Sequence, residues 1–416
     1  MTHTHMLLED VKMALDTIRG HKVRSLLTVL GVVIGTMVAI VVASILLGVQ
    51  RDIQDSLNEF GVDNLFIFKF DPGIHFGRIS TEERMRKSLT YEDGMAIKED
   101  LPAIKNVVVE AMPRIGNGPQ PVRTARNKNH ELTNLVFRGV TSSYSEVVNG
   151  KMKEGRFFTD LEDLHREEWV VLGFDAEKAL FPDERAEGKQ LLVDGNPYTV
   201  IGVFEKKKNT MNQAGDVEVL IPYRTYRKHY PRDDEHVIIA MSQPGMKDRA
   251  EDQVRGVLRT RRRVAPNKPD NFGITSAEAL GNQFADIMAK ILQYVIGVVS
   301  VGLLVGGVGV MNIMLMSVTE RTREIGVRKA IGARRRDISF QFIVEAVTLT
   351  GIGGVLGVLL SLLASFLMQL AHFPSSVPLW AIMLAVGVAS SVGLFFGIYP
   401  AMKAASLDPV EALRYE

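Results

Sequence analysis

The chain has 416 residues, 46% hydrophobic and 23% charged, with 49 Lys+Arg against 48 Asp+Glu and a mean hydropathy of +0.08. A net charge of +1 gives neither the basic surplus of a nucleic-acid binder nor the acidic surplus of a disordered tail. The absence of cysteine excludes disulfides, Cys-ligated zinc or iron–sulfur sites and a thiol nucleophile, and nine scattered His offer little metal chemistry.

High apolar content beside this much charge requires the two to be segregated. Residues 25–50, 291–319 and 346–402 are runs of 26, 29 and 57 residues without Asp, Glu, Lys or Arg. A bilayer core of about 30 Å takes about 20 apolar helical residues, so one, one and two crossings are predicted. The resulting spans are 25–50, 291–318, 341–371 and 379–402. Between the last two, Pro374 and Pro378 supply the turn, since proline ends a helix and restricts its predecessor.

In chain order, residues 1–24 come first, with Leu7, Val11, Ala14, Leu15 and Ile18 at helical spacing, an amphipathic helix for the cytoplasmic interface. The first span is read as an uncleaved anchor, because it exceeds the usual signal-peptide core of about 7–15 residues. Residues 51–290 carry 36 basic and 38 acidic side chains, the composition of a soluble domain. Within it, 63–70, 90–99 and 106–112 read as strand, helix and strand, with Thr90 as helix cap, and 236–241, 247–262 and 272–276 repeat the pattern. Two such halves form a ferredoxin-like split βαβ sheet. Strand signals at 131–138, 169–172, 190–193, 198–204 and 217–221, with turns at 116–119 and 194–197, predict a β-rich inserted lobe over about 115–225. The fold class is therefore a membrane α-helical protein of four transmembrane helices with an α+β extracytoplasmic domain. Apolar stripes at Ile53, Leu57 and Phe60, and at Leu280, Phe284, Ile287 and Ile291, extend the first two spans into that domain as helical stalks.

Residues 319–340, the connector after the second span, hold seven basic and three acidic side chains, whereas the 373–378 turn holds none. The positive-inside rule makes the connector cytoplasmic; both termini follow it, the tail being 403–416, and 51–290 lies outside. Each span carries a Gly-x-x-x-Gly spacing, Gly31/Gly35, Gly302/Gly306, Gly353/Gly357 and Gly393/Gly397, which predicts close helix packing. Glu345 is the spans' one carboxylate candidate, near the cytoplasmic end, and loop arginines are its expected partners. No Ser/His/Asp or paired-carboxylate signature stands out, and no Gly-x-x-x-x-Gly-Lys-Ser/Thr occurs. The expectation is a non-enzymatic chain with no catalytic, metal or cofactor residues, and with membrane lipid but no nucleic acid among its partners.

The block Val310–Arg334, VMNIMLMSVTERTREIGVRKAIGAR, strongly resembles the permeases of the MacB family of ABC transporters, in the superfamily of lipoprotein-release permeases and the FtsX division protein. Similar matches lie at Lys22–Gly35, Gly155–Phe158, Tyr198–Val203, Phe342–Ala346, Tyr399–Ala401 and Leu407–Ala412. The resemblance implies an inner-membrane permease working as a homodimer or heterodimer, whose periplasmic domain is moved by a cytoplasmic ABC ATPase through the stalks, a process called mechanotransmission. By resemblance, 318–332 is the coupling helix, with Glu320, Arg321, Arg323, Glu324, Ile325, Gly326, Arg328, Lys329, Ile331 and Gly332 as the ATPase-coupling residues. ATP and Mg are then bound by the ATPase, expected as a separate chain. A periplasmic adaptor and an outer-membrane channel are further partners the family allows. Efflux of a periplasmic substrate is the leading reading; signalling to a periplasmic cell-wall hydrolase and lipoprotein extraction are the alternatives.

Overall fold

The computed structural model describes residues 22–413 apart from 60, 62, 71–82, 84, 114–121, 129, 134, 207–216, 372 and 374. The amphipathic segment expected over 1–24 lies outside the described residues except for 22–24, and so does the 116–119 turn. The chain forms two compact units, Arg51–Asp286 and, together, Met1–Gln50 with Ile287–Glu416.

In the first unit, β1 (Asn64–Phe68), α2 (Tyr91–Asp100) and β2 (Ile104–Met112) form one half. The second half is β11 (Glu235–Ser242), α7 (Lys247–Arg261) and β12 (Gly273–Ser276). The four strands lie in the order β12-β1-β11-β2, every neighbour antiparallel. This is the ferredoxin-like arrangement that the two strand–helix–strand patterns predict. The strands are near-continuous apolar runs because both faces are covered: Leu65, Ile67, Val107 and Val109 enter one core with Ile97, Val254 and Leu258 of the helices, while Phe66, Val108 and Ile239 enter a second. Thr90 closes α2 with a reciprocal capping box, its hydroxyl accepting from the Asp93 N–H at 3.2 Å and its own N–H donating to Asp93 Oδ2 at 3.1 Å.

The inserted strands, expected as a second lobe, continue the same hydrogen-bonded sheet. β5 (Val136–Val140) joins β2 over two residue pairs, and β10 (Glu218–Pro222), β7 (Trp169–Leu172), β9 (Asn196–Phe204), β8 (Gln190–Val193), β3 (Thr124–Asn127) and β4 (His130–Thr133) follow, with β6 (Met152–Gly155) on β9. The single strand expected over 131–138 is two, β4 and β5. At the two-pair join, Arg138 Nη1 lies 3.4 Å from Glu110 Oε2 and 3.9 Å from Glu218 Oε1, tying β2, β5 and β10 together. Short helices α3 (Tyr144–Val147), α4 (Asp160–Leu164), α5 (Phe174–Leu180) and α6 (Tyr223–His229) complete the unit.

Among the described residues four helices are long and apolar enough to cross a membrane. These are α1 (Lys22–Glu59), α8 (Ala277–Glu320), α10 (Arg335–Leu370) and α11 (Leu379–Ser406). α1 and α8 run without a break past the ends of their apolar runs. Their polar ends are packed rather than loose: Ala277, with Leu57 and Leu280 beside it, joins the second core of the Arg51–Asp286 unit.

Within the other unit the glycine spacings act as close-approach points, with one exception. A Cβ added at Gly31 would lie 3.0 Å from Gly306 Cα, and one at Gly353 would lie 3.1 Å from Val32 Cβ. At Gly357 and Gly393 the clashes would fall on the Oγ1 atoms of Thr36 and Thr350, at 1.9 and 2.0 Å. Gly35 meets Leu303, and Gly397 meets Ala346. Gly302, expected to share in this packing, has nothing within 4 Å; Gly307 against Phe396 and Gly354 against Ala389 do so instead. The reason is angular: α1 meets α8 at Leu303 and Gly306, and Gly302, one position before Leu303, is turned about 100° from it.

Candidate functional site

The basic connector folds into α9 (Thr322–Ala330), separated from α8 by Arg321 alone. Val318, Thr319 and Glu320, expected within the amphipathic element, belong to the end of α8. Thr322 spans the junction, donating from Oγ1 to Val318 O at 3.0 Å and to Thr319 O at 2.8 Å. The far end closes on Gly332, whose φ of +103° suits glycine; its N–H reaches Lys329 O, and the Ala333 N–H reaches Arg328 O at 3.0 Å.

Burial divides the ten expected coupling residues into three sets. Ile325 and Gly326 face inward, with Ile325 in a core shared by Val310, Met314, Phe342 and Ala404. Gly326 abuts α12 (Pro409–Leu413), because a Cβ there would come within 2.8 Å of Ala412 Cβ. Glu320, Arg323, Glu324, Ile331 and Gly332 face outward, and Ile331 is 82% exposed. Arg321, Arg328 and Lys329 are half-buried and turn to internal partners. Arg321 Nη1 lies 3.7 Å from Glu345 Oε1, the pairing anticipated for that carboxylate. Arg328 donates to Gln341 Oε1 and to Glu324 Oε1, both at 2.6 Å. The Lys329 ammonium donates to Ala405 O at 2.5 Å and Leu407 O at 2.6 Å, at the C-terminal end of α11. Burial, and secondarily Arg335, hold its pKa below the usual lysine value.

The C-terminal helix α12 was not anticipated. Its signal was present: Asp408 precedes Pro409, a capping residue before proline at the first helical position, and Asp408 Oδ1 accepts from the Val410 N–H at 2.7 Å. Val410 and Leu413 on α12, like Val327 on α9, are exposed apolar side chains beside a basic connector. An amphipathic helix seated on its own protein on one side and bare on the other can receive a soluble partner.

In the Arg51–Asp286 unit a cleft of about 630 Å³ is lined by Tyr91, Met95, Tyr223, Arg224 and Arg261, the two tyrosine rings stacked at 4.8 Å. Behind it His236 Nδ1 sits 3.0 Å from Asp234 O, leaving Nε2 to accept from the Tyr223 hydroxyl at 2.9 Å. Burial, aided by Arg227, lowers the His236 pKa and keeps the ring neutral. Among the described residues no group of three or more His, Cys, Asp or Glu could hold a metal.

Residues 25–257 match the family model of the MacB-like periplasmic core domain, and 296–409 that of the FtsX-like permease C-terminal. The macrolide export ATP-binding/permease protein MacB of Neisseria meningitidis is 32% identical over 408 residues, 98% of this chain and 61% of that protein. The chain thus spans about three fifths of the length of such MacB relatives. The ABC transporter permease YknZ of Bacillus subtilis is 30% identical over 414 residues, 99% of this chain and 100% of that one. The solved periplasmic region of MacB from Actinobacillus actinomycetemcomitans aligns with TM-score 0.44 and 19% identity, over 55% of this chain and 95% of that region.

Proposed function

This chain belongs to the family of MacB-like, FtsX-like ABC-transporter permeases, and on that premise we propose that it couples ATP hydrolysis by a separate cytoplasmic ATPase to movement of its extracytoplasmic domain. It is a multi-pass membrane protein with a large extracytoplasmic domain. The observation that carries the proposal is the pair of unbroken helices: α1 and α8 each join an apolar span to a segment packed into the core of the Arg51–Asp286 unit. A helix held at both ends passes displacement along its length, which a Gly/Ser linker does not.

In this reading α9 is the coupling helix, docking its bare side, with Arg323, Glu324, Val327 and Ile331, onto the ATPase, while both termini lie in the cytoplasm. ATP and Mg sit on that partner, since no Gly-x-x-x-x-Gly-Lys-Ser/Thr occurs among these 416 residues. A second copy or paralogue completes the assembly. The exposed stripe Val298, Val301, Gly302 and Val305 on α8, at helical spacing with a glycine at its centre, suits that contact. The work done from the inner membrane is export of an extracytoplasmic substrate, with a periplasmic adaptor and an outer-membrane channel as companions.

Because the chain lacks cysteine, single cysteines test this directly. A membrane-impermeant maleimide on intact cells should modify Met246→Cys and spare Ile331→Cys until the membrane is opened. Purified chain should also retain an ABC ATPase and raise its turnover. Labelling of position 331 from outside refutes the topology and the coupling role together.

A further inference from the structure

Lys329 stands out among the coupling residues because its bonds go to the backbone at the end of α11. Its ammonium is spent on two backbone carbonyls, Ala405 O and Leu407 O, at 2.5 and 2.6 Å. These are among the carbonyls that the end of α11 leaves without intrahelical partners, and they carry the negative end of the helix dipole. A lysine with three donors and no acceptor suits that position, and its flexible stem reaches across from a neighbouring helix. Beside it, Gly326 lets α12 approach so closely that a Cβ would meet Ala412 at 2.8 Å. The cap is therefore supplied from another element, and α9 and α11 are fastened where a displaced α9 would pull on the fourth span.

We propose that Lys329 is a positioning residue that fastens the coupling helix to the cytoplasmic end of the fourth span, so that movement of α9 is delivered to α11 as well as to α8 and α10. This rests on α9 being the ATPase-docking helix, and it adds a route: α8 and α10 are joined to α9 by short stretches of chain, whereas α11 is joined by the Lys329 clamp, the α9–α12 contact and the core that Ile325 shares with Ala404. Severing the clamp leaves docking intact and weakens delivery to one span.

Two reporter cysteines separate these claims in the full chain, purified with the ABC ATPase that it retains. Ile331→Cys, on the bare side of α9, reads docking as slowed alkylation by a small maleimide when the ATPase is bound. Ser406→Cys, exposed at the last residue of α11, reads delivery as the change in alkylation rate between ATP-bound and nucleotide-free complex. Lys329→Met keeps the stem and removes the charge and donors. It should leave protection at 331 within twofold of the parent and reduce the nucleotide-dependent change at 406 at least fivefold. Gly326→Val, which wedges α9 from α12 without touching the lysine, should reduce the change at 406 in the same direction. An unchanged response at 406 in Lys329→Met overturns the clamp. Loss of protection at 331 in that variant also overturns it, since the lysine would then serve docking. Absence of protection at 331 in the parent chain overturns the docking reading, and the clamp with it.

Discussion

Replacing Ile331 by Ala separates a contact made with a partner from one made within the chain. The substitution removes three carbons, each contributing about 0.8 kcal/mol when taken out of water. Ile331 is 82% exposed, so nearly all of that burial is left for a partner to supply, about 2 kcal/mol. At about 1.4 kcal/mol per decade this is about a 25-fold rise in Kd for the ATPase. The chain's own stability should move by no more than about 0.5 kcal/mol, as for other surface substitutions. Ile325 is the internal control, six residues before Ile331, within α9 and 3% exposed. Truncating it to Ala should cost about 2–5 kcal/mol of stability through the cavity it leaves. The assay is a titration of labelled full chain in detergent with purified ATPase, beside thermal unfolding of each variant. A Kd for Ile331→Ala within twofold of the parent, or a stability loss matching that of Ile325→Ala, would refute the assignment of the bare side of α9 to a partner.

Two further outcomes concern the extracytoplasmic unit. Arg138→Met removes the cation beside two carboxylates, Glu110 and Glu218, that are 4% and 5% exposed, and should destabilise the unit by about 3–5 kcal/mol; the readout is Trp169 fluorescence during denaturation in a Trp380→Phe background. Burial alone would lower the Arg138 pKa, yet Glu110 and Glu218 hold it above the usual arginine value, so a loss under about 1 kcal/mol would contradict this account of the join. Burial likewise keeps His236 neutral at pH values where an unfolded chain would protonate it. The unfolded state then binds more protons as pH falls, so the stability from this group is complete above about pH 6.5 and is lost on acidification toward its lowered folded pKa. His236→Gln should flatten that acid limb, and an unchanged pH profile would remove His236 as its source.

The elements legible from sequence are those whose signal is local. Charge-free runs longer than a bilayer is thick marked all four spans, since no packing partner is needed to make charge costly in lipid. Thr90 as a helix cap, the apolar runs of β1, β2 and β11, and the 169–172 and 190–193 strands were equally plain. β3 and β6, with the sequences TARN and MKEG, were missed because they are short and polar and owe their pairing to β8 and β9. Propensity carries little weight where a neighbouring strand supplies the hydrogen bonds.

The candidate site divides the same way. Its basic, amphipathic composition placed α9 in the sequence, but the direction of each side chain was not readable there. Gly326 and Gly332 look alike in the REIGVRKAIG run, yet one is pressed against Ala412 and the other turns the chain at positive φ. Lys329 looked like one more docking charge until the C-terminal end of α11 was placed beneath it, and Gly302 like one more packing glycine until Gly306 and Gly307 were found to make the contacts. By itself the sequence determined what depends on transfer between water and lipid and on local hydrogen bonding: the number of spans, the soluble segment between them and the alternation of strand and helix. Only the tertiary structure decided which residues one position apart on a helix meet a neighbour and which are left for a partner, because a turn of about 100° per residue changes the facing surface while the composition stays the same.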